Sequence, residues 1–230
     1  MSISERIRRW YQELRGYLRP MSFRQKLAYL FTYYKSWILI AILIIAAVGF
    51  TADVIIQRQQ ETLLQGFFTN DDYGLFDARK IQKDFSQRIS LGKNQNIILD
   101  DDFYIDVEGG ARNYSAASNG KIIAYMSVGE LDFIVTCKEI YEHYAGNVPM
   151  LDLRELLPED LFQELEHCMV YGRNYDAQGN LQENCPVAID LRDSRYIRNA
   201  ALPEGSFYLF VPYQAPHREM ICEFIRYSFE

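Results

Sequence analysis

Residues 36–52 read SWILIAILIIAAVGFTA, seventeen positions without one charged side chain. Val54-Ile-Ile56 carries the run past Asp53. A helix rises 1.5 Å per residue, so about 20 apolar residues match a hydrocarbon core roughly 30 Å thick. No polar face interrupts the run, which argues against a helix half-buried in a soluble core. A secretory signal lies nearer the terminus, has a shorter apolar region and ends in small residues. The run therefore predicts a transmembrane helix over 36–56. It divides the chain into a segment 1–35, a linker 57–61 and a domain 62–230.

Charge sets the orientation. Residues 1–35 hold eight Lys/Arg against Glu5 and Glu13, a net of +6, which leaves −13 of the total −7 for the rest of the chain. Basic residues flanking a span are retained on the cytoplasmic side, so the N-terminus is expected inside and the acidic domain outside. Tyr33, Tyr34 and Trp37 fit an aromatic belt at the inner interface. An acidic outer domain also argues against nucleic acid as a partner.

Within the basic segment, Ile3, Ile7, Trp10, Tyr11, Leu14 and Leu18 recur at helical spacing, with Arg6, Arg8, Arg9 and Arg15 mostly on the other faces. Such a helix lies on anionic lipid or contacts a partner, and the sequence favours neither. Pro20 ends it. Ser22 and Gln25 have the S-x-x-Q spacing of a capping box, opening a second helix that leads into the span. Thirty-five residues are too few for a catalytic domain without metal or disulfide support, so specific function is expected outside.

In the outer domain, 62–68 reads as a strand, followed by the turn-rich stretch 69–74. Phe76, Ile81, Phe85 and Ile89 mark a helix over 75–91, with Gly92 as its C-terminal cap. A strand over 96–107 has a charged middle at Asp100, Asp101 and Asp102. Ile122, Ile123 and Met126 place a helix over 114–128, with Ser115 and Ser118 near its start. A short apolar strand 132–136 precedes a helix 138–144, and Pro158 opens another, carrying Leu161, Phe162 and Leu165. Strands at 169–175 and 181–191 flank Asp176-Ala-Gln-Gly-Asn180, a hairpin signal in which Gly179 supplies positive φ. A strand at 206–212 and a closing helix at 217–229 complete an α/β pattern, with crossover connections and helices on both sheet faces.

All four cysteines lie in the outer domain, where a disulfide can persist. Four thiols allow three pairings. Cys168 and Cys185 flank the hairpin turn nearly symmetrically, so this pair is the expected bridge, with Cys137 and Cys222 as core residues. The cysteines and His143, His167 and His217 lack zinc-ligand spacing, so no metal is expected.

The stretch GELDFIVTCKEIYEHYAGNVPMLDLRELLPEDL, with its G-x-x-D turn (Gly129, Asp132), its strand, its Leu151-Asp-Leu153 segment and its Pro158-led helix, resembles extracellular solute-binding proteins of the type 2 periplasmic-binding-protein fold. The hairpin, Ala188-Ile-Asp-Leu-Arg-Asp-Ser194 and the final strand also resemble small single-pass membrane proteins of Gram-positive bacteria. The resemblance implies one three-layer α/β lobe. A full binding protein closes two lobes over its ligand, and this domain has room for about one.

In a doubly wound sheet, ligands meet the carboxyl ends of strands. Those ends present Thr69, Asn70, Asp71 and Asp72 after the first strand, and Thr136, Cys137 and Lys138 after the third. The competing reading is plain turn and cap chemistry, which favours the same residue types. Asp100-Asp-Asp102 lacks the spaced oxygens of a calcium loop and reads as a solvated strand end. No nucleophile elbow, zinc helix or phosphate-cradling glycine loop occurs, so neither catalysis nor a cofactor is expected. Two readings follow. One is a membrane-tethered module that binds a membrane-protein partner or a small solute. The other is an assembly subunit acting through the span and the basic helices, with the outer strand ends filled by the protein's own side chains.

Overall fold

The computed structural model describes residues 35–58, 60–107, 112–175, 180–200, 202–203 and 205–230, with isolated positions before residue 35. The chain divides into two units, Met1–Gln59 and Gln60–Glu230.

The first unit contains helix α1, Lys35–Arg58, whose 24 residues make a rod about 36 Å long. Leu39, Ile42, Leu43, Ile44, Ile45, Val48 and Phe50 are exposed on all sides of it. Its Thr51 hydroxyl bonds back to the carbonyls of Ala47 and Val48 at 3.0 and 2.9 Å, so its polarity is satisfied within the helix. Among the described residues no helix is long and apolar enough to cross a membrane. Side chains at 37, 38 and beyond 51 of α1 lie outside those residues. Upstream, the Ser22 amide donates to Gln25 Oε1 at 2.9 Å, one half of the expected capping box. The amphipathic pattern of residues 3–18 and the ring positions of Tyr33, Tyr34 and Trp37 lie outside the described residues.

The second unit is built on one six-stranded sheet. Its strands are β1 (Glu61–Thr69), β2 (Gln95–Phe103), β3 (Phe133–Cys137), β4 (Met169–Tyr175), β5 (Leu181–Asp190) and β6 (Phe207–Phe210), in the order β2-β1-β3-β6-β5-β4. The first three pair in parallel, and β6, β5 and β4 join antiparallel. The expected crossover sheet is thus half of the observed one. A hairpin needs only a short turn, whereas parallel neighbours need the helices α2 (Ala78–Arg88) and α3 (Arg112–Ser127) between them.

Alternating side chains feed two cores. Phe68, Phe133, Val135 and Leu209 pack on one face with Ile81 and Phe85 of α2 and with Ile221, Phe224 and Ile225 of the closing helix α7 (Arg218–Phe229). Phe67, Ile134, Tyr208 and Phe210 pack on the other with Ile122 and Met126 of α3 and with α4 (Lys138–Tyr144). The result is three layers, as expected. Gly66 is fixed by this packing: a Cβ there would lie 2.1 Å from Phe133 Cζ on the neighbouring strand. Phe133 stacks in turn on Phe224, with ring centroids 4.4 Å apart.

Local chemistry trims several expected elements. α2 begins three residues late, because Asp77 accepts the Lys80 amide as N-cap and Asp101 accepts the Ala78 amide. Its C-cap is Ile89, followed by Ser90 at φ 53°, so Gly92 is not the cap. In α3, Ile122 and Met126 are buried but Ile123 is 45% exposed, because one residue turns the side chain by about 100°. Ser115 and Ser118 accept the amides of Asp106 and Tyr104, holding the loop after β2 rather than capping α3. Two Asp-Leu-Arg segments behave alike: Asp152 caps α5 (Leu153–Leu156) and Asp190 caps the 3-10 turn Leu191–Asp193, each also pairing with the Arg two residues on. Pro158 caps α6 (Glu159–Glu164).

The hairpin forms as expected, and its 176–179 tip lies outside the described residues. The disulfide does not form. Gly172, not Cys168, stands opposite Cys185, because Cys168 precedes β4 in a 3-10 turn. All four thiols are free. Cys168 Sγ donates to Asp193 Oδ2 at 3.6 Å and Cys185 Sγ to Gln182 Oε1 at 3.4 Å.

Candidate functional site

The fold sets the ends of β1 and β3 side by side, since the two strands are parallel neighbours. They meet as a closed seam. Thr69 and Thr136 are buried, and their hydroxyls hydrogen-bond each other at 2.6 Å. Asn70, at φ 54°, pairs its whole amide with Ile105: Nδ2 donates to the carbonyl at 2.7 Å and Oδ1 accepts the amide at 3.0 Å. Asp71 Oδ2 accepts the Phe76 amide at 2.7 Å, while its Oδ1 is buried without a hydrogen-bond partner. Asp72 is exposed. Cys137 is the N-cap of α4 without a side-chain cap bond, and Lys138 reaches Glu142 at 3.8 Å on the surface. Local turn chemistry thus accounts for one oxygen of Asp71, whereas the Asn70 amide ties the end of β1 to the distant backbone of Ile105.

The acidic run also splits into separate structural roles. Asp100 pairs with Lys121 at 3.0 Å, Asp101 caps α2, and the Asp102 amide turns back to Asp100. Lys121 lies over the Phe103 ring at 4.6 Å, so its charge is shared between a carboxylate and a π-face.

A second constellation gathers around Asp132, at the entry to β3. Asp132 is fully buried and its two oxygens accept three bonds: the Gln65 amide at 2.6 Å, the His217 amide at 3.0 Å and His217 Nδ1 at 2.9 Å. The imidazole is partly exposed. His217 lines a depression of about 460 Å³ with Thr62, Gln65, Ile98, Tyr125, Glu130 and Pro216. A second depression, about 300 Å³, lies between Ile123, Met126, Val148, Pro149, Pro212 and Tyr213. The segments 125–130 and 212–217 contribute to both.

Where these segments touch, Gly129 has φ +68° and a Cβ there would lie 3.4 Å from the Gln214 carbonyl. Glycine is what allows the turn to come this close. Ile123, Val128 and Ile98 leave an exposed apolar fringe around the same turn. One depression is apolar, and the other offers a carboxylate, an imidazole, an amide and a phenol. That is the usual composition of a recognition surface: apolar area with a few polar groups that fix orientation.

Comparison of the chain with protein-family profiles, with curated proteins and with solved structures finds no match.

The sequence singled out Gly129 and Asp132 as a turn signature but not their meeting with Gln214 and His217, which lie more than eighty residues on. No local spacing signals that contact. On the opposite sheet end, Tyr141 packs edge-on against Tyr208 at 4.9 Å, and burial, then the Tyr208 and Glu142 charges, push its phenol up to about 12. Tyr144 donates to Asn119 at 2.8 Å, and burial raises it too. Both phenols therefore stay protonated well into alkali.

Proposed function

We propose that the chain is a membrane-anchored extracytoplasmic interaction module. Residues 36–56 form its single span, the basic segment 1–35 lies in the cytoplasm, and the α/β domain stands outside. It acts without catalysis, as an accessory to a transporter or envelope complex, and the outer domain engages a membrane-protein partner or a small solute. The observation that carries this reading is the pair of depressions flanking Gly129 and Gln214, with Ile98, Ile123 and Val128 exposed around them. Exposed apolar residues beside a few polar groups that can fix orientation suit a protein-interaction surface. The resemblance to one lobe of a type 2 solute-binding protein supports recognition as the task, and a single lobe suits a partner surface better than a clamshell.

The second reading is an assembly subunit acting through its span and basic helices. The sealed Thr69–Thr136 seam and the self-paired Asn70 favour it, because the expected strand ends are filled from within.

A photocrosslinking side chain at Ile123, compared with one at Lys83 on the far helix layer, separates the two in native membranes. The module reading expects a discrete adduct from position 123, none from 83, and persistence of that adduct when residues 1–35 are removed. Equal labelling from both positions, or loss of every adduct on truncation, rejects it in favour of the assembly subunit.

A further inference from the structure

Two 3-10 turns, Glu166–Cys168 and Leu191–Asp193, lie side by side and converge three different donors. His167 Nε2 is 3.1 Å from Asp193 Oδ2, and Cys168 Sγ is 3.6 Å from the same oxygen. All three donor atoms lie within 4.8 Å of one another. We propose that His167, Cys168 and Asp193 bind a divalent transition-metal ion, with zinc the best match.

The geometry fits. Zinc bonds of about 2.0 Å to nitrogen and oxygen and 2.3 Å to sulfur, set tetrahedrally, place donors roughly 3.3–3.7 Å apart. Two edges of the triangle already lie near that range, and closing the third asks for about 1 Å of movement at most. The movement is available, because the imidazole and the carboxylate are exposed while Cys168 is fixed. The Cys168 amide bonds Leu165 at 2.8 Å and its side chain sits in the main core, so the thiol forms the floor of the site. The exposed rim leaves a fourth position for water.

Charge and softness select the ion. A thiolate and a carboxylate together balance a dication, and the neutral imidazole adds none. Thiolate and imidazole suit zinc, cobalt or copper, whereas calcium and magnesium take oxygen donors. On binding, the Cys168 S–H bond breaks, its proton leaves to solvent and the sulfur bonds the metal. Arg192, next to Asp193 in the chain, is held by Asp190 at 2.8 Å, which offsets its repulsion of a cation.

The test uses the full chain in detergent, reduced and stripped of metal, titrated with cobalt(II). A near-ultraviolet thiolate-to-cobalt absorption is expected, displaced by zinc and absent in Cys168→Ser. His167→Ala and Asp193→Asn should each weaken binding by at least the roughly tenfold that even an outer-shell partner contributes. Cys137→Ser and Cys185→Ser should leave it unchanged. No absorption at saturating cobalt, or one that survives Cys168→Ser, overturns the proposal. If Cys168→Ser does not fold, the two surface variants decide, and unchanged affinity in both overturns it equally.

Discussion

Asp132 holds His217 from a fully buried position, with Oδ2 2.9 Å from the imidazole Nδ1 and Oδ1 3.0 Å from the His217 amide. The same carboxylate accepts the Gln65 amide at 2.6 Å, so one side chain ties β1, the entry to β3 and the start of α7. Asp132→Ala strands these donors and should cost about 3 kcal/mol, whereas His217→Ala leaves both amide bonds and should cost about 1 kcal/mol. Urea unfolding followed by far-UV circular dichroism measures both. Equal costs would show that the imidazole, not the amides, carries the stabilisation.

Gly66 tolerates no side chain. Its added Cβ meets the Phe133 ring at 2.1 Å, and Phe133 is held in place by Phe224. Gly66→Ala should destabilise by about 2–3 kcal/mol, and pairing it with Phe133→Leu should recover part of that loss. The measurement is the same unfolding midpoint, with the double variant lying above the sum of the singles.

The Thr69–Thr136 seam should show strong coupling. Thr69→Val or Thr136→Val alone leaves a buried hydroxyl without its partner and should cost about 1–3 kcal/mol, while the double valine replaces both polar groups and should cost less than the two singles combined. A double-mutant cycle checks this. Additive costs would mean that the two hydroxyls do not depend on each other.

Stability should fall in alkali. Burial pushes Tyr141 up from 10.0 to about 12 and raises Tyr144 and Tyr196 as well. Between pH 10 and 12 the unfolded chain loses protons that the folded chain keeps, so the folded state binds more and stability declines as pH rises. The contribution is complete below pH 10. Unfolding midpoints at stepped pH should bend downward above that value, and Tyr141→Phe should make the bend shallower.

The thiols should react in order of exposure. Cys137 is partly exposed, whereas Cys168, Cys185 and Cys222 are buried, and burial raises the thiol pKa of all three. A thiol reagent should modify Cys137 first in the native protein and all four after denaturation, with no change in mass on prior reduction. A mass change on reduction would restore a disulfide.

Much of the α/β domain was legible in local pattern. The runs at 62–68 and 132–136, the two strands flanking the 176–180 turn and the Pro158 start all correspond to observed elements, because pattern, turn and cap chemistry act within a few residues. Phe85 and Ile81 named the buried face of α2 for the same reason. What failed was pairing across distance. Cys168 and Cys185 look symmetric about the turn, yet the register sets Gly172 against Cys185, and register follows from how β5 packs on β6.

The sequence by itself determined the apolar run at 36–52, the charge asymmetry about it and the alternation of strands and helices, all of which are properties of neighbouring residues. Tertiary structure decided that the sheet is mixed, that Thr69 and Thr136 seal each other, and that Asp132 meets His217 and Cys168 meets Asp193. Those contacts join residues 25 to 85 positions apart. No local propensity encodes them, because they exist only once burial of the two cores has fixed which strand lies beside which.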